Sequence, residues 1–280
     1  HFNRIGSLAL AMEKPLRKWH FSPRNGGNYW ELVWVLAKTD FKLRYHGSIL
    51  GYIWVVLKPL SMFLILNFVF STIFNPMNTG IHHYSLQLFS GIVIFNFFHE
   101  GTIVGLGSLY QKSSLITKIY IPRWIVILSS TIQSSLIFLM NLIIVALFFA
   151  WYKFWPGLSS IMACIFYIVL TYIIILSFSL ITAPIYAKYR DLMSIWEVLL
   201  SALFYATPVI YPLTILPERY QYLILINPMA YIVHSIKNAL TEGRIPSFWH
   251  NLTFAFSVLV IFILSLFIYQ KAENKVAEYL

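Results

Sequence analysis

Long apolar stretches separated by short polar breaks are the feature of this sequence that most constrains its fold. Five are long and one is shorter, and they cover residues 52–74, 85–109, 123–150, 158–187, 194–211 and 250–270. A helix needs about 20 predominantly apolar residues to cross the hydrocarbon core of a bilayer, and each stretch can reach about that length. The strict alternation typical of membrane β-strands is absent from them. We therefore predict an all-α membrane protein with six transmembrane helices.

The composition agrees with a membrane protein and excludes most other classes. Charged residues make up 11% of the chain and the mean hydropathy is +0.73, whereas soluble domains carry about 25% charged residues. A single cysteine, Cys164, lies in an apolar stretch and is interpreted as a packing residue. The net charge of +10 is spread between the apolar stretches. It therefore does not indicate a nucleic-acid partner, and we expect none.

Lysine and arginine residues are distributed unequally between the two predicted sides of the membrane. If both termini lie in the cytoplasm, 16 of the 20 Lys and Arg residues fall on the cytoplasmic side. The outer side then receives Lys153, Arg219, Lys237 and Arg244. This excess follows the positive-inside rule. We predict a multi-pass protein with cytoplasmic termini, in which residues 1–28 and 272–280 form cytoplasmic tails.

Residues 29–47, before the first apolar stretch, have the pattern of an amphipathic helix lying in the cytoplasmic interface. Glu31, Lys38 and Lys42 fall on one narrow face, with aromatic residues beside it. Asp40 and Arg44 break the pattern on the apolar back of this helix. Their i, i+4 spacing allows them to pair with each other, and a docking or headgroup contact is the alternative.

Residues 212–248, before the last apolar stretch, contain four prolines yet remain rich in aromatic and aliphatic residues. Two half-length apolar pieces, broken at Asn227-Pro228, are too short to cross a membrane separately. We interpret them as a re-entrant pair of short helices, which is tolerated where protein covers the free backbone groups.

Motifs for catalysis are missing from the sequence. It contains no G-x-x-x-x-G-K-[ST] phosphate loop, no H-E-x-x-H zinc motif and no G-x-S-x-G elbow. We therefore predict no enzymatic activity and no cofactor in this chain.

Polar and aromatic residues inside the predicted spans are candidates for a translocation path, because polar groups within a membrane usually serve a pathway or a partner. Helix-packing hydrogen bonds and an interfacial aromatic belt are the alternatives for them. The candidates are Asn96, His99, Glu100, Trp196, Phe204, Tyr205 and Tyr211. Ser130, Gln133, Ser134 and Asn141 form a further polar stripe, which we interpret as contacts between helices.

Three segments of the sequence together resemble one family. The first is LAKTDFKLRYHGSILGYIWVVLKPL at 36–60, and the second is LITKIYIPR at 115–123. The third combines YRDL at 189–192 with FYATPVIY at 204–211 and NPMAY at 227–231. In order and spacing they resemble the ABC-2 type polysaccharide exporter permeases, which are the membrane subunits that move O-antigen, capsule or teichoic acid chains.

The resemblance implies a bacterial inner or plasma membrane location and a homodimer that works with two copies of a separate ABC ATPase. That ATPase would bind ATP and Mg. Residues 48–271 would form the six-helix transmembrane domain, with a coupling helix within 110–119 and an outer gate at 212–248. The substrate would be a glycan linked to undecaprenyl diphosphate.

The resemblance also implies roles for particular residues. ATPase coupling would involve Glu31, Lys38, Lys112, Ser113, Leu115 and Lys118. The substrate headgroup would be received by Lys42, Arg44 and Lys58, although Lys58 can equally extend to the interface. The gate would include Tyr220, Pro228 and Tyr231. Two alternatives stay open, namely an ABC-2 exporter of drugs or small lipids and a membrane-embedded glycan-processing enzyme.

Overall fold

A computed structural model describes residues 29–45, 47–74, 84–118 and 121–276. Within these ranges the chain is helical and has no strand. The predicted N-terminal tail at 1–28 and residues 277–280 of the predicted C-terminal tail at 272–280 lie outside the described residues, as do residues 75–83 between the first two apolar stretches. The helices are α1 (Tyr29–Tyr45), α2 (Ile53–Phe74), α3 (Tyr84–Gln111), α4 (Ser113–Lys118), α5 (Arg123–Trp151), α6 (Leu158–Lys188), α7 (Leu192–Ala206), α8 (Glu218–Leu225), α9 (Pro228–Glu242) and α10 (Phe248–Val276).

Five helical segments are long and apolar enough to cross a membrane. They correspond to α2, α3 together with α4, α5, α6 and α10. These are the five long apolar stretches of the sequence, and the prediction that they are helical is confirmed. The predicted all-α class is likewise confirmed for the described residues.

The shorter apolar stretch forms a shorter helix than predicted. α7 has 15 residues and ends at Ala206, so it is about 22 Å long against a hydrocarbon core of about 30 Å. Thr207 is extended, with φ −94° and ψ 136°, because the residue before a proline avoids the helical region. Pro208 therefore ends the helix five positions before the predicted boundary at residue 211, and the count of six spans is not established by helix length.

Helix α3 is the centre of the bundle and packs against α2, α5, α6, α7 and α9. Its glycines permit a close approach to α6. A Cβ added at Gly105 would lie 1.9 Å from Ser179 Oγ, and one added at Gly101 would lie 2.8 Å from the side chain of Ile175. The spacing of Gly101 and Gly105 is that of the small-residue motif used for close helix contacts in membranes.

Helix α1 confirms the helix predicted at 29–47 and lies along α5. The Tyr29 and Trp124 rings meet edge to face, with centroids 6.1 Å apart, near the start of α5. Val33 and Ala37 form the buried face of α1, whereas Glu31, Lys38 and Lys42 are exposed.

Segment 212–248 contains two short helices, α8 and α9, which meet at the predicted Asn227-Pro228 break. Asn227 caps α9, because its side-chain oxygen accepts a hydrogen bond of 3.0 Å from the backbone N–H of Met229. Pro228 occupies the first turn, and Gly243, with φ 66°, ends the helix. One side of α9 packs against α3 and α6.

Candidate functional site

Two ion pairs attach α1 to the centre of the bundle. Arg44 pairs with Glu100 of α3, and each of these side chains is 29% exposed. Asp40, one turn earlier on α1, pairs with Lys112, and these two side chains are more buried. The expectation that Asp40 and Arg44 pair with each other is therefore replaced by one contact with Glu100 of α3 and one with Lys112, the residue after α3. The i, i+4 spacing places both side chains on the same side of α1.

Lys112 occupies the single residue between α3 and α4. Besides Asp40, its ammonium group donates to Ser129 Oγ at 3.2 Å and to Ser130 Oγ at 3.0 Å. Lys112 thus joins α1, the α3–α4 corner and α5. Such a charge-assisted network is stronger than isolated neutral hydrogen bonds.

Two cavities adjoin the ion pairs. The proximal cavity, named for its position next to α4, has a volume of about 550 Å³ and is lined by α1, α3, α5 and Lys112. The distal cavity has a volume of about 290 Å³ and lies between α2, α3 and α5, with Arg44 in its wall. Arg44 and Glu100 line both cavities.

The distal cavity brings together several residues that the sequence analysis assigned to different roles. Asn96, His99 and Glu100, predicted for the path, lie in its wall with Arg44 and Lys58, predicted for the headgroup. Ser134 and Asn141 also line it, and Ser130 and Gln133 line the proximal cavity. The polar stripe of α5, interpreted as helix contacts, therefore faces the cavities.

Family comparison decides what kind of protein carries this site. The pattern that defines the ABC-2 type transporter matches residues 31–241, which is most of the chain. The chain belongs to the ABC-2 type transporter family. The match spans α1 to α9, so both ion pairs and both cavities lie within the ABC-2 domain.

Individual relatives cover nearly the whole chain. It is 26% identical to an O-antigen export system permease protein RfbA of Klebsiella pneumoniae over 256 residues, or 91% of this chain and 97% of the relative. The RfbA protein of Myxococcus xanthus is 28% identical over 78% of this chain and 83% of its own length. The polysialic acid transport protein KpsM of Escherichia coli is 21% identical over 86% and 93%.

The predicted coupling residues of this ABC-2 domain lie at one end of the bundle. α4 confirms a short helix within 110–119 and has no buried residue. Lys118 is exposed, whereas Ser113 and Leu115 are partly buried. The side chain of Lys112 is largely buried in its ion pair with Asp40. It therefore serves as an internal connection between helices and offers little surface to a partner.

The aromatic residues predicted for the path separate into core and surface positions. Trp196 Nε1 donates to Thr102 Oγ1 at 3.1 Å, and its ring stacks on Phe178 at 4.1 Å. Phe204 contacts the buried Phe95, with ring centroids 5.2 Å apart. Tyr205 and Tyr211 lie at the end of α7, where the Tyr211 hydroxyl donates to the Tyr205 carbonyl at 3.3 Å. These four therefore lie apart from the polar cavities.

The predicted gate residues differ in their surroundings. The Tyr231 hydroxyl donates to Asn251 Oδ1 at 3.2 Å, and the Tyr167 hydroxyl donates to the same oxygen at 2.6 Å. Tyr220 is 55% exposed on α8, and Pro228 begins α9. Tyr231 thus ties α9 to α6 and α10, while Tyr220 is available to surrounding molecules.

Lys237 is a functional-site candidate that sequence reasoning missed. The sequence analysis counted it among the cations of the outer side, but its side chain is buried in α9. Its ammonium group donates to the carbonyls of Pro208 at 2.8 Å and Val209 at 3.1 Å. The signal in the sequence is its spacing from Val233 and Leu240, which places a lysine on the apolar face of the helix.

The described residues provide no cluster of side chains suited to binding a metal ion. No group of three or more His, Cys, Asp or Glu side chains comes together among them. Asp40, Arg44, Glu100 and Lys112 are instead engaged in ion pairs between helices.

Proposed function

We propose that this chain is the permease subunit of an ATP-driven exporter that moves an undecaprenyl-diphosphate-linked cell-envelope polysaccharide out of the cytoplasm. The observation that carries the proposal is the similarity to the Klebsiella O-antigen export permease along 91% of this chain and 97% of that protein. The membrane would be the bacterial inner or plasma membrane. An O-antigen or a teichoic acid is the kind of polymer expected.

The distal cavity supports a phosphorylated glycan as cargo. Arg44 and Lys58 supply two cations in its wall, and guanidinium and ammonium groups suit phosphate oxygens. Lys42 is exposed two residues before Arg44 on α1 and would attract the headgroup first. Phe97 and Phe138, also in the wall, stack with ring centroids 4.2 Å apart, and aromatic faces suit the C–H faces of sugars.

Six crossings with both termini in the cytoplasm form the proposed topology. α7 would be the fifth crossing, completed by the irregular residues 207–212. α8 and α9 would form the re-entrant outer gate, with the exposed aromatic rings of α8 in the outer leaflet. Burial of Lys237 leaves three cations on the predicted outer side, which strengthens the positive-inside asymmetry.

Two copies of this chain would work with two separate ABC ATPase subunits, which bind ATP and Mg. α4 would dock on the ATPase together with the exposed Glu31 and Lys38 of α1, the proposed interface helix. The ion pair between Asp40 and Lys112 supports this arrangement, because it connects the two docking elements directly. A movement of α4 would then reach α1 without an intervening flexible segment.

Co-purification with the ATPase encoded beside this chain tests the proposal. We expect a two-plus-two complex whose ATP hydrolysis is stimulated by the lipid-linked polysaccharide and falls when Ser113–Lys118 is replaced by a Gly/Ser stretch. Lys153→Ala, at an exposed cation between α5 and α6, is the control and should leave hydrolysis unchanged.

Other outcomes would contradict the proposal in distinguishable ways. Stimulation by drugs or small lipids, with no response to the polysaccharide, would indicate the alternative ABC-2 exporter. Failure to form a complex, combined with glycan processing by the purified chain alone, would indicate the membrane-embedded enzyme.

A further inference from the structure

We propose that the Arg44–Glu100 ion pair is the partition between the proximal and distal cavities, and that it must separate for cargo to pass from one to the other. The inference rests on the proposed export function for its meaning, but its geometry is independent of the cargo. It assigns to these two residues a gating role at the inner end of the path, remote from the outer gate helices.

The lining residues locate the partition. Among the described residues, the two cavities share Arg44 and Glu100 alone. Along α3, Val93, Asn96 and Phe97 line the distal cavity, and Ile103, Val104 and Gln111 line the proximal cavity. Glu100 lies at the point where the residues of α3 stop lining the distal cavity and begin to line the proximal cavity. Arg44 of α1 pairs with it there.

The lining residues of α5 also pass from the proximal to the distal cavity along the helix. Ser130 and Gln133 line the proximal cavity, and Ser134, Ile137 and Asn141 line the distal cavity. One helical turn separates Ser130 from Ser134. The boundary therefore lies at one level on two neighbouring helices, and the ion pair crosses the space between them and α1.

The strength of the pair suits a partition that opens and closes. Both side chains are 29% exposed, and a partly solvated pair is weaker than a fully buried one. Asp40 lies one turn from Arg44 and holds Lys112 at the start of α4. A displacement of α4 would consequently shift the same part of α1 that carries the partition.

Cysteine accessibility tests the proposal in the full-length chain. Cys164→Ala provides a background without cysteine, and Ser134→Cys and Ser130→Cys report on the distal and proximal sides. Each is labelled in inside-out membrane vesicles with a charged, membrane-impermeant methanethiosulfonate reagent. With the native pair, we expect Ser134→Cys to react more slowly than Ser130→Cys.

Breaking the pair should affect the distal reporter alone. Glu100→Gln is expected to raise the labelling rate of Ser134→Cys about tenfold, as when a local opening becomes about 1.4 kcal/mol easier. Ser130→Cys should keep its rate. Arg44→Met is the second way to break the pair, and the exchanged pair Arg44→Glu with Glu100→Arg should restore slow labelling.

Two results would overturn the partition. Unchanged labelling of Ser134→Cys in both Glu100→Gln and Arg44→Met would show that the pair does not separate the cavities. Equal acceleration of both reporters would show general loosening of the bundle. Labelling requires neither ATP nor glycan, so a failure of the proposed export function would appear in the transport assay and leave these rates as they are.

Discussion

Lys237 of α9 donates a hydrogen bond of 2.8 Å to the carbonyl oxygen of Pro208 and so joins α9 to the chain just after the short helix α7. The backbone after Ala206 has left the helix, and its carbonyls need partners in apolar surroundings. Lys237 supplies the donor to two of them, and Gly91 of α3 leaves room for its stem, since an added Cβ there would lie 3.4 Å from Lys237 Cδ.

Replacing this lysine should destabilise the contact between α9 and the residues that follow α7. Lys237→Met keeps the apolar stem but leaves the carbonyls of Pro208 and Val209 without their donor, at a cost of about 1 to 3 kcal/mol. Thermal unfolding of the detergent-purified protein measures the effect. Lys153→Met, at an exposed lysine, is the control, and equal unfolding temperatures for the two variants would contradict the structural role.

Enlarging Gly105 should disturb the contact between α3 and α6. In Gly105→Ala the new methyl group would meet Ser179 Oγ at 1.9 Å and Ser179 Cβ at 2.7 Å, so we expect a loss of about 1 to 3 kcal/mol from overpacking. Combining it with Ser179→Gly should recover part of this loss in a double-mutant cycle. Gly157→Ala, where the nearest atom lies at 3.8 Å, should be tolerated, and additive losses in the cycle would argue against the contact.

The Asp40–Lys112 pair should couple ATP hydrolysis to export. Lys112→Met removes the donor to Asp40, Ser129 and Ser130, so α1 and the start of α4 lose their direct connection and we expect less glycan to be exported per ATP hydrolysed. Asp40→Asn keeps an oxygen acceptor and should be milder. The measurement is glycan exported per ATP hydrolysed by the reconstituted complex. Lys118→Met removes the exposed lysine at the other end of α4, and an equal effect from it would assign the loss to docking.

Two tyrosine hydroxyls, one from α6 and one from α9, should contribute unequally to the contacts made by Asn251 of α10. Tyr167 donates to Asn251 Oδ1 at 2.6 Å and Tyr231 at 3.2 Å. We expect Tyr167→Phe to cost about 1 kcal/mol and Tyr231→Phe less, because the shorter bond lies nearer the optimum for O–H donors. Unfolding temperatures measure both. A larger loss in Tyr231→Phe would contradict the ranking.

The sequence predicts most of the helices because their signals are local. Long apolar stretches, Pro and Gly breaks and the Asn227-Pro228 cap all act within a few residues of the element they define. The end of α7 is the exception, since the apolar stretch continues past Pro208. There the hydropathy pattern favours a longer helix, but Pro208 disfavours a helical conformation at Thr207, and the helix ends at Ala206.

Partners of charged residues could not be predicted in the same way. Local spacing favours an Asp40–Arg44 pair, but the actual partners depend on the tertiary packing of α1 along α5, which brings these side chains to Lys112 and Glu100. Lys237 was missed for the same reason, because counting it among the outer cations ignores the apolar face on which it lies. Asn96, His99 and Glu100, predicted for the path, share a cavity, whereas the aromatic candidates at 196–211 lie apart from it.

A single residue, Lys112, separates α3 from α4, so the two helices are joined without a flexible linker. The backbone N–H groups of Leu115 and Ile116 both donate to the Lys112 carbonyl at 3.0 Å, bracing the corner. α3 is a rod about 42 Å long, and at its other end the Tyr84 hydroxyl donates to the Ile210 carbonyl at 2.8 Å. A displacement of α4 would therefore be transmitted along the single helix α3 to the opposite end of the bundle. No series of separate side-chain movements would be needed between the two ends.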